Sequence, residues 1–137
     1  MRRRYILRGM SATKVDGAGA AKLRTLEEAL LSVQALHGMV ERMALDVKAH
    51  RGAGVFPQQI KRLATPLHGL LKGQFGLIAD QISKLILDAG RGSEMQRVRL
   101  LREGVAQTRA ALEQTKERVK IQHRVTIELP AQDPPVL

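Results

Sequence analysis

From Val98 onward, Val98, Leu101, Val105, Thr108, Leu112, Thr115, Val119 and Gln122 recur at alternating steps of three and four. The spacing averages 3.5 residues and holds for more than three heptads. A stripe of that period requires a long α-helix wound left-handed around another helix. Ser93 followed by Gln96 reads as a capping box, each side chain satisfying a free backbone N–H of the other residue. A helix over about 93–123 follows. Thr108, Thr115 and Gln122 give it a polar seam. The threonines are expected to bond back to helix carbonyls, with Gln122 at a frayed end. The sharper alternative is that polar layers select one register or oligomer.

Two more helices precede it. Thr25 with Glu28 forms a second capping box, and Leu26, Leu30, Val33, His37, Val40, Ala44 and Val47 follow at steps of four and three, widened by Leu36 and Met43. "RGAG" at 51–54 supplies glycines that end the helix, predicted over about 25–50. Pro57 suits the first turn of the next, where its missing N–H leaves nothing unpaired. Its apolar face runs through Ile60, Leu63, Leu67, Leu70, Leu77/Ile78, Ile82 and Leu85 to "AGRG" at 89–92, which predicts a helix over about 57–89. Gly69, Gly73 and Gly76 interrupt it, each costing about 1 kcal/mol relative to Ala. They point to close approach by a partner helix or ligand, with plain tolerance as the alternative. The fold expected is all-α, an antiparallel bundle of three long helices running up, down and up. Aromatics are only 2% of 137 residues, which leaves little material for a β-sandwich. "VTIEL" at 125–129 alternates like a strand but has no predicted partner, and "PAQDPPVL" is a Pro-rich tail.

The net charge of +10 is uneven. Residues 1–24 hold seven bases (Arg2, Arg3, Arg4, Arg8, Lys14, Lys22, Arg24) against Asp16 alone, for +6. Residues 25–137 hold 16 bases and 12 acids, for +4. Residues 9–22 are small and without apolar period, so 1–24 reads as a flexible basic arm. Such an arm seeks polyanions, nucleic acid among them, through phosphate contacts, or else is a solvated tail. Residues 25–124 read as the bundle domain and 125–137 as a short extended segment and tail.

His68 poses the chemical question. "LATPLHGLL" at 63–71 resembles the phosphoacceptor box of histidine-kinase dimerisation domains through Leu63, Thr65, Pro66 and Leu67. The resemblance spans residues 56–121 and implies a helical hairpin that dimerises into a four-helix bundle. Lys61 and Arg62 stand where that family has its His-Glu pair, and no ATP-binding domain follows within the chain. His68 is also similar to the acceptor of histidine phosphotransfer domains, with Lys72 one residue later than the family's lysine. A phosphohistidine needs an exposed imidazole and a nearby cation, a role Lys72 would fill. The plainer reading makes His68 a residue at the edge of the seam. His37 falls on the first helix's stripe as a core or boundary residue. His50 and His123 sit at helix ends, where a cation complements the dipole.

Other chemistry is thin. Without cysteine there is no disulfide, thiolate or cysteine-ligated zinc. Glu-x-x-His and His-x-x-x-His pairs, phosphate-loop, dinucleotide and nucleophile-elbow motifs are all missing. No apolar run nears the roughly 18 residues of a membrane span. "MRRRYILRGM" has too short an apolar part for a secretory signal. The expectation is a cytoplasmic, non-enzymatic interaction or adaptor module without cofactor or metal. Its partners would be itself, through a seam of Val98, Leu101, Val105, Thr108, Leu112, Thr115 and Val119, and another protein. The alternatives are a phosphotransfer protein using His68 and a nucleic-acid binder using the arm.

Overall fold

A computed structural model describes residues 11–128, and side chains from Lys14 to Val125. Arg2, Arg3, Arg4, Arg8 and the Pro-rich tail lie outside the described residues. The elements are β1 (Ser11–Val15), α1 (Gly17–Lys48), α2 (Phe56–Leu71), α3 (Gly76–Asp88), α4 (Glu94–Gln122) and β2 (Arg124–Glu128).

Helix α4 follows its sequence period. All seven positions from Val98 to Val119 are buried, and Ser93 Oγ accepts the Gln96 N–H at 3.2 Å. Its partner is α1, whose buried residues Leu26, Ala29, Val33, Leu36, Val40 and Met43 also alternate steps of three and four. The two run antiparallel. Gly19 lies against His123 at one end, and Glu41 pairs with Arg102 further along. A Cβ on Gly19 would come within 2.5 Å of the His123 Cβ, so the close contact there requires glycine. The seven residues predicted as an oligomer seam are thus consumed within one chain.

The helix predicted over 57–89 is two helices. The break covers residues 72–75, where Phe75 leaves helical conformation at φ −129 and ψ 59. Its N–H still reaches the Leu71 carbonyl at 2.7 Å, and its own carbonyl accepts from Ala79 at 2.9 Å. The turn reverses the chain, so the bundle has four helices rather than three. At 16 and 13 residues, α2 and α3 are about 24 and 20 Å long, roughly half of α1. They lie toward the Lys48 and Glu94 ends of the long pair. There the Ala53 N–H donates to Glu94, and Leu85 of α3 packs on Gly104 of α4. Ile60, Leu71, Ile82 and Leu85, all nearly inaccessible, join Leu36, Met43 and Leu101 in one core. Gly52 and Gly54 in the α1–α2 connection have positive φ, as the helix-stop reading required.

The N-terminal segment departs furthest from expectation. Of the stretch predicted as a linker over 9–22, residues 11–22 are strand, cap and helix instead. Ser11–Val15 is a strand, and α1 begins at Gly17 rather than Thr25. The cap is Asp16, whose Oδ1 accepts the Gly19 N–H at 2.7 Å. Thr25 is mid-helix and donates to the Ala21 carbonyl at 3.2 Å. The alternation at 125–129 does belong to a strand, β2, and the partner that the sequence did not reveal is β1. The two pair antiparallel from Ser11↔Glu128 to Val15↔Arg124. At the junction the Asp16 N–H donates to the His123 carbonyl at 3.0 Å. Lys22 Nζ, which can only donate, lies 3.2 Å from His123 Nε2, which makes Nε2 the acceptor. Nδ1–H then donates to Asp16 Oδ1 at 3.1 Å. His123 ties the ribbon to both long helices.

The polar seam divides. Thr115 Oγ1 donates to the Ala111 carbonyl at 2.7 Å and accepts from Arg118 at 3.0 Å. Thr108 Oγ1 is fully buried with no hydrogen-bond partner, contrary to the back-bonding expected of it. An unpaired buried hydroxyl costs about 1–3 kcal/mol. Thr108→Val should therefore raise stability by about 1 kcal/mol in urea denaturation, while Thr115→Val leaves it unchanged or lowers it. A loss of stability in Thr108→Val would show that the hydroxyl does have a partner.

Candidate interaction groove between α1 and α4

His68 lies in the last turn of α2, half-buried, with its carbonyl accepting the Lys72 N–H at 2.9 Å. Among the described residues no hydrogen bond or ion pair involves its imidazole or the exposed Lys72 ammonium. Helix α3 stands between the box-bearing helix and α4, where the family resemblance implied a direct hairpin. His37 is exposed rather than on the core stripe, and His50 sits beyond the end of α1 at φ 62. A Cβ at Gly69, Gly73 or Gly76 would meet nothing within 4 Å, so no helix approaches there. Of the arm residues, Lys14 and Arg24 are exposed on β1 and α1, and Lys22 is engaged with His123. Among the described residues no cluster of His, Asp and Glu could hold a metal ion. No described helix is long and apolar enough to cross a membrane.

An open concavity lies elsewhere, along the line where α1 meets α4. Helices α2 and α3 pack on one side of that pair, and the other side holds an open groove of about 670 Å³. Its wall from α1 includes Ala44, Leu45 and Lys48, with His50 just past the helix end, and its wall from α4 includes Met95, Arg99, Arg102 and Glu103. A second hollow of about 510 Å³ continues it past Arg102 to Ala106, Arg109, Ala110 and Glu113. Val40, Val98 and Val105 form a buried apolar floor. Leu45 is 64% and Met95 77% exposed at the rim, apolar area that the chain itself leaves uncovered.

One bidentate ion pair spans the groove. Arg102 Nε and Nη2 each lie 2.8 Å from a Glu41 carboxylate oxygen. The hydrogen bonds from Arg102 hold the Glu41 carboxyl below its ordinary value of 4.5, against partial burial. The same contact raises Arg102. Arg99, Glu103, Arg109 and Glu113 are exposed and make no salt bridge among the described residues. They alternate in sign along the α4 wall. The arrangement holds no nucleophile–base pair and no convergent carboxylates.

Sequence reasoning passed over this groove because each residue in it looked like the solvated face of one helix. The available signal was the set of apolar residues left outside the stripes, Leu45 and Met95. Comparison with models of known families, with curated proteins and with solved structures finds no match. The groove must be read from its own geometry.

The Glu41–Arg102 pair is about half exposed and is worth ~0.2–1 kcal/mol. Because the folded carboxyl titrates below 4.5, that contribution is complete above pH 4.5 and is lost as pH falls through the folded value. Glu41→Gln should lower the urea midpoint at pH 7 and match wild type at pH 2–3. A gap of the same size at both pH values would exclude the carboxylate charge as its cause.

Proposed function

We propose that the chain is a non-enzymatic helical-bundle interaction module that docks a helix of a protein partner in the α1/α4 groove. One observation carries this reading. Two long helices are covered on one side by α2 and α3, while on the other a groove with a buried valine floor and an exposed Leu45–Met95 rim stays open. A trough between two antiparallel helices is a place where a third helix can lie, with apolar anchors on the floor and charges along the rim. The wall charges support a protein partner over a polyanion. Arg99 and Arg109 alternate with Glu103 and Glu113, and Arg102 is neutralised by Glu41, so a phosphate backbone would meet carboxylates along the track.

A photo-crosslinking side chain in place of Leu45 tests the groove in the cells that make the protein. Leu77, 84% exposed and outside the groove, is the control position. The expected result is a discrete protein adduct from position 45 and none from position 77. Equal, diffuse labelling from both would remove the groove as a docking surface.

A further inference from the structure

The α4 wall of the groove carries a charge pattern that is complementary to its own reverse. About Ala106, the positions three away are Glu103 and Arg109, and the positions seven away are Arg99 and Glu113. Reversing the helix exchanges Glu with Arg at both distances. Three and seven residues from one point share a helix face, so all five positions lie in one stripe. The four charges are unpaired among the described residues, although Arg99 with Glu103 and Arg109 with Glu113 are each four apart. Both pairs place Arg before Glu, the weaker order within a helix. Their own helix therefore leaves these charges available.

We infer that the groove's occupant is α4 of a second copy of this chain, laid antiparallel with the two-fold axis at Ala106. This rests on the reading of the groove as a docking surface and names its partner. In that arrangement Arg99 faces Glu113 of the second copy, and Glu103 faces its Arg109. Two-fold symmetry repeats both pairs, giving four ion pairs around an alanine contact. Ala106 and Ala110 keep the crossing low, so that the helices approach closely. A parallel pairing would set Arg99 on Arg99 and Glu113 on Glu113. Self-association thus moves from the inward stripe of α4 to its outward one.

Sedimentation velocity on the full chain at low and high salt tests this through charge reversal. Wild type should dimerise at tens of micromolar in low salt and weaken as salt is added, since rim pairs are screened. Arg99→Glu and Glu113→Arg should each weaken the dimer at least tenfold, because each sets like charges together twice. The double variant should restore it. A wild-type chain monomeric at several hundred micromolar in low salt would overturn the proposal. So would single reversals without effect, or a double variant no better than the singles. The chain has no cysteine, so Ala106→Cys supplies a unique thiol. A short thiol–thiol crosslinker should join two such chains and fail with Gln74→Cys on the α2–α3 turn. An adduct from position 45 with a different protein, alongside a monomeric chain, would leave the groove reading standing and end the self-pairing.

Discussion

Everything else in the fold depends on the antiparallel pairing of α1 with α4. Each helix carries a stripe of alternating three- and four-residue steps, and the stripes meet along nearly the full length of both. The pairing brings together chain segments more than 100 residues apart, and the ribbon follows from it. A two-stranded ribbon is marginal by itself in water. Here Asp16 and His123, the residues that cap the two helices, also bond to each other and deliver β1 and β2 already side by side. The long pair also fixes how much surface α2 and α3 can cover. Two helices of half its length shield one side of one half, and the groove is what they leave open.

The sequence made α4 legible because a strict 3.5-residue period is hard to satisfy by accident. Helix α1 was legible as a helix, but its seam was misassigned. The apolar pattern puts Leu30 and His37 on the stripe and passes over Ala29, whereas Ala29 is buried, Leu30 only partly so and His37 exposed; Leu36, on the stripe's margin in the pattern, is at its centre. On one helix a four-step and a three-step neighbour differ by about 100°, and only the period of the partner decides between them. The start of α1 was missed because Gly-Ala-rich residues show no apolar period. Asp16 was counted as the arm's single acid when it is the cap. The break at 72–75 has no proline to mark it, and Gly73 and Gly76, which the pattern offers as contact points, border a turn instead. Strand pairing across the whole chain is set by the helices and has no local signature.

The groove was illegible for a related reason. A single helix pattern sorts residues into an inward stripe and a solvated remainder, whereas a groove between two helices draws on the remainder of both. Arg99, Glu103, Arg109 and Glu113 would each pass as ordinary surface charges. Their spacing acquires meaning only once Ala106 is known to face outward beside α1 with nothing packed on it. The features that stood out in the sequence occupy quieter surroundings. His68 lies at the end of α2 without a polar partner, and the glycines of that region face open space.

The antiparallel pairing proposed for α4 also resolves an electrostatic difficulty. Among the described residues of the N-terminal segment, Lys14, Lys22 and Arg24 stand against Asp16 alone, and two copies brought together at that end would repel. From Ala106 to Gln122 the helix runs 16 residues, or about 24 Å. In a dimer centred on Ala106 the two helix C-termini point apart, so the ribbons stand about 48 Å from each other. That is several times the ~8 Å screening length at physiological salt. A parallel dimer would set both basic segments on the same end, within reach of mutual repulsion. The α4 wall itself contributes no net charge from Arg99, Glu103, Arg109 and Glu113, and Arg102 is neutralised by Glu41. The surface proposed to pair is therefore close to neutral, and its local pattern and the basic ribbon end favour the same orientation.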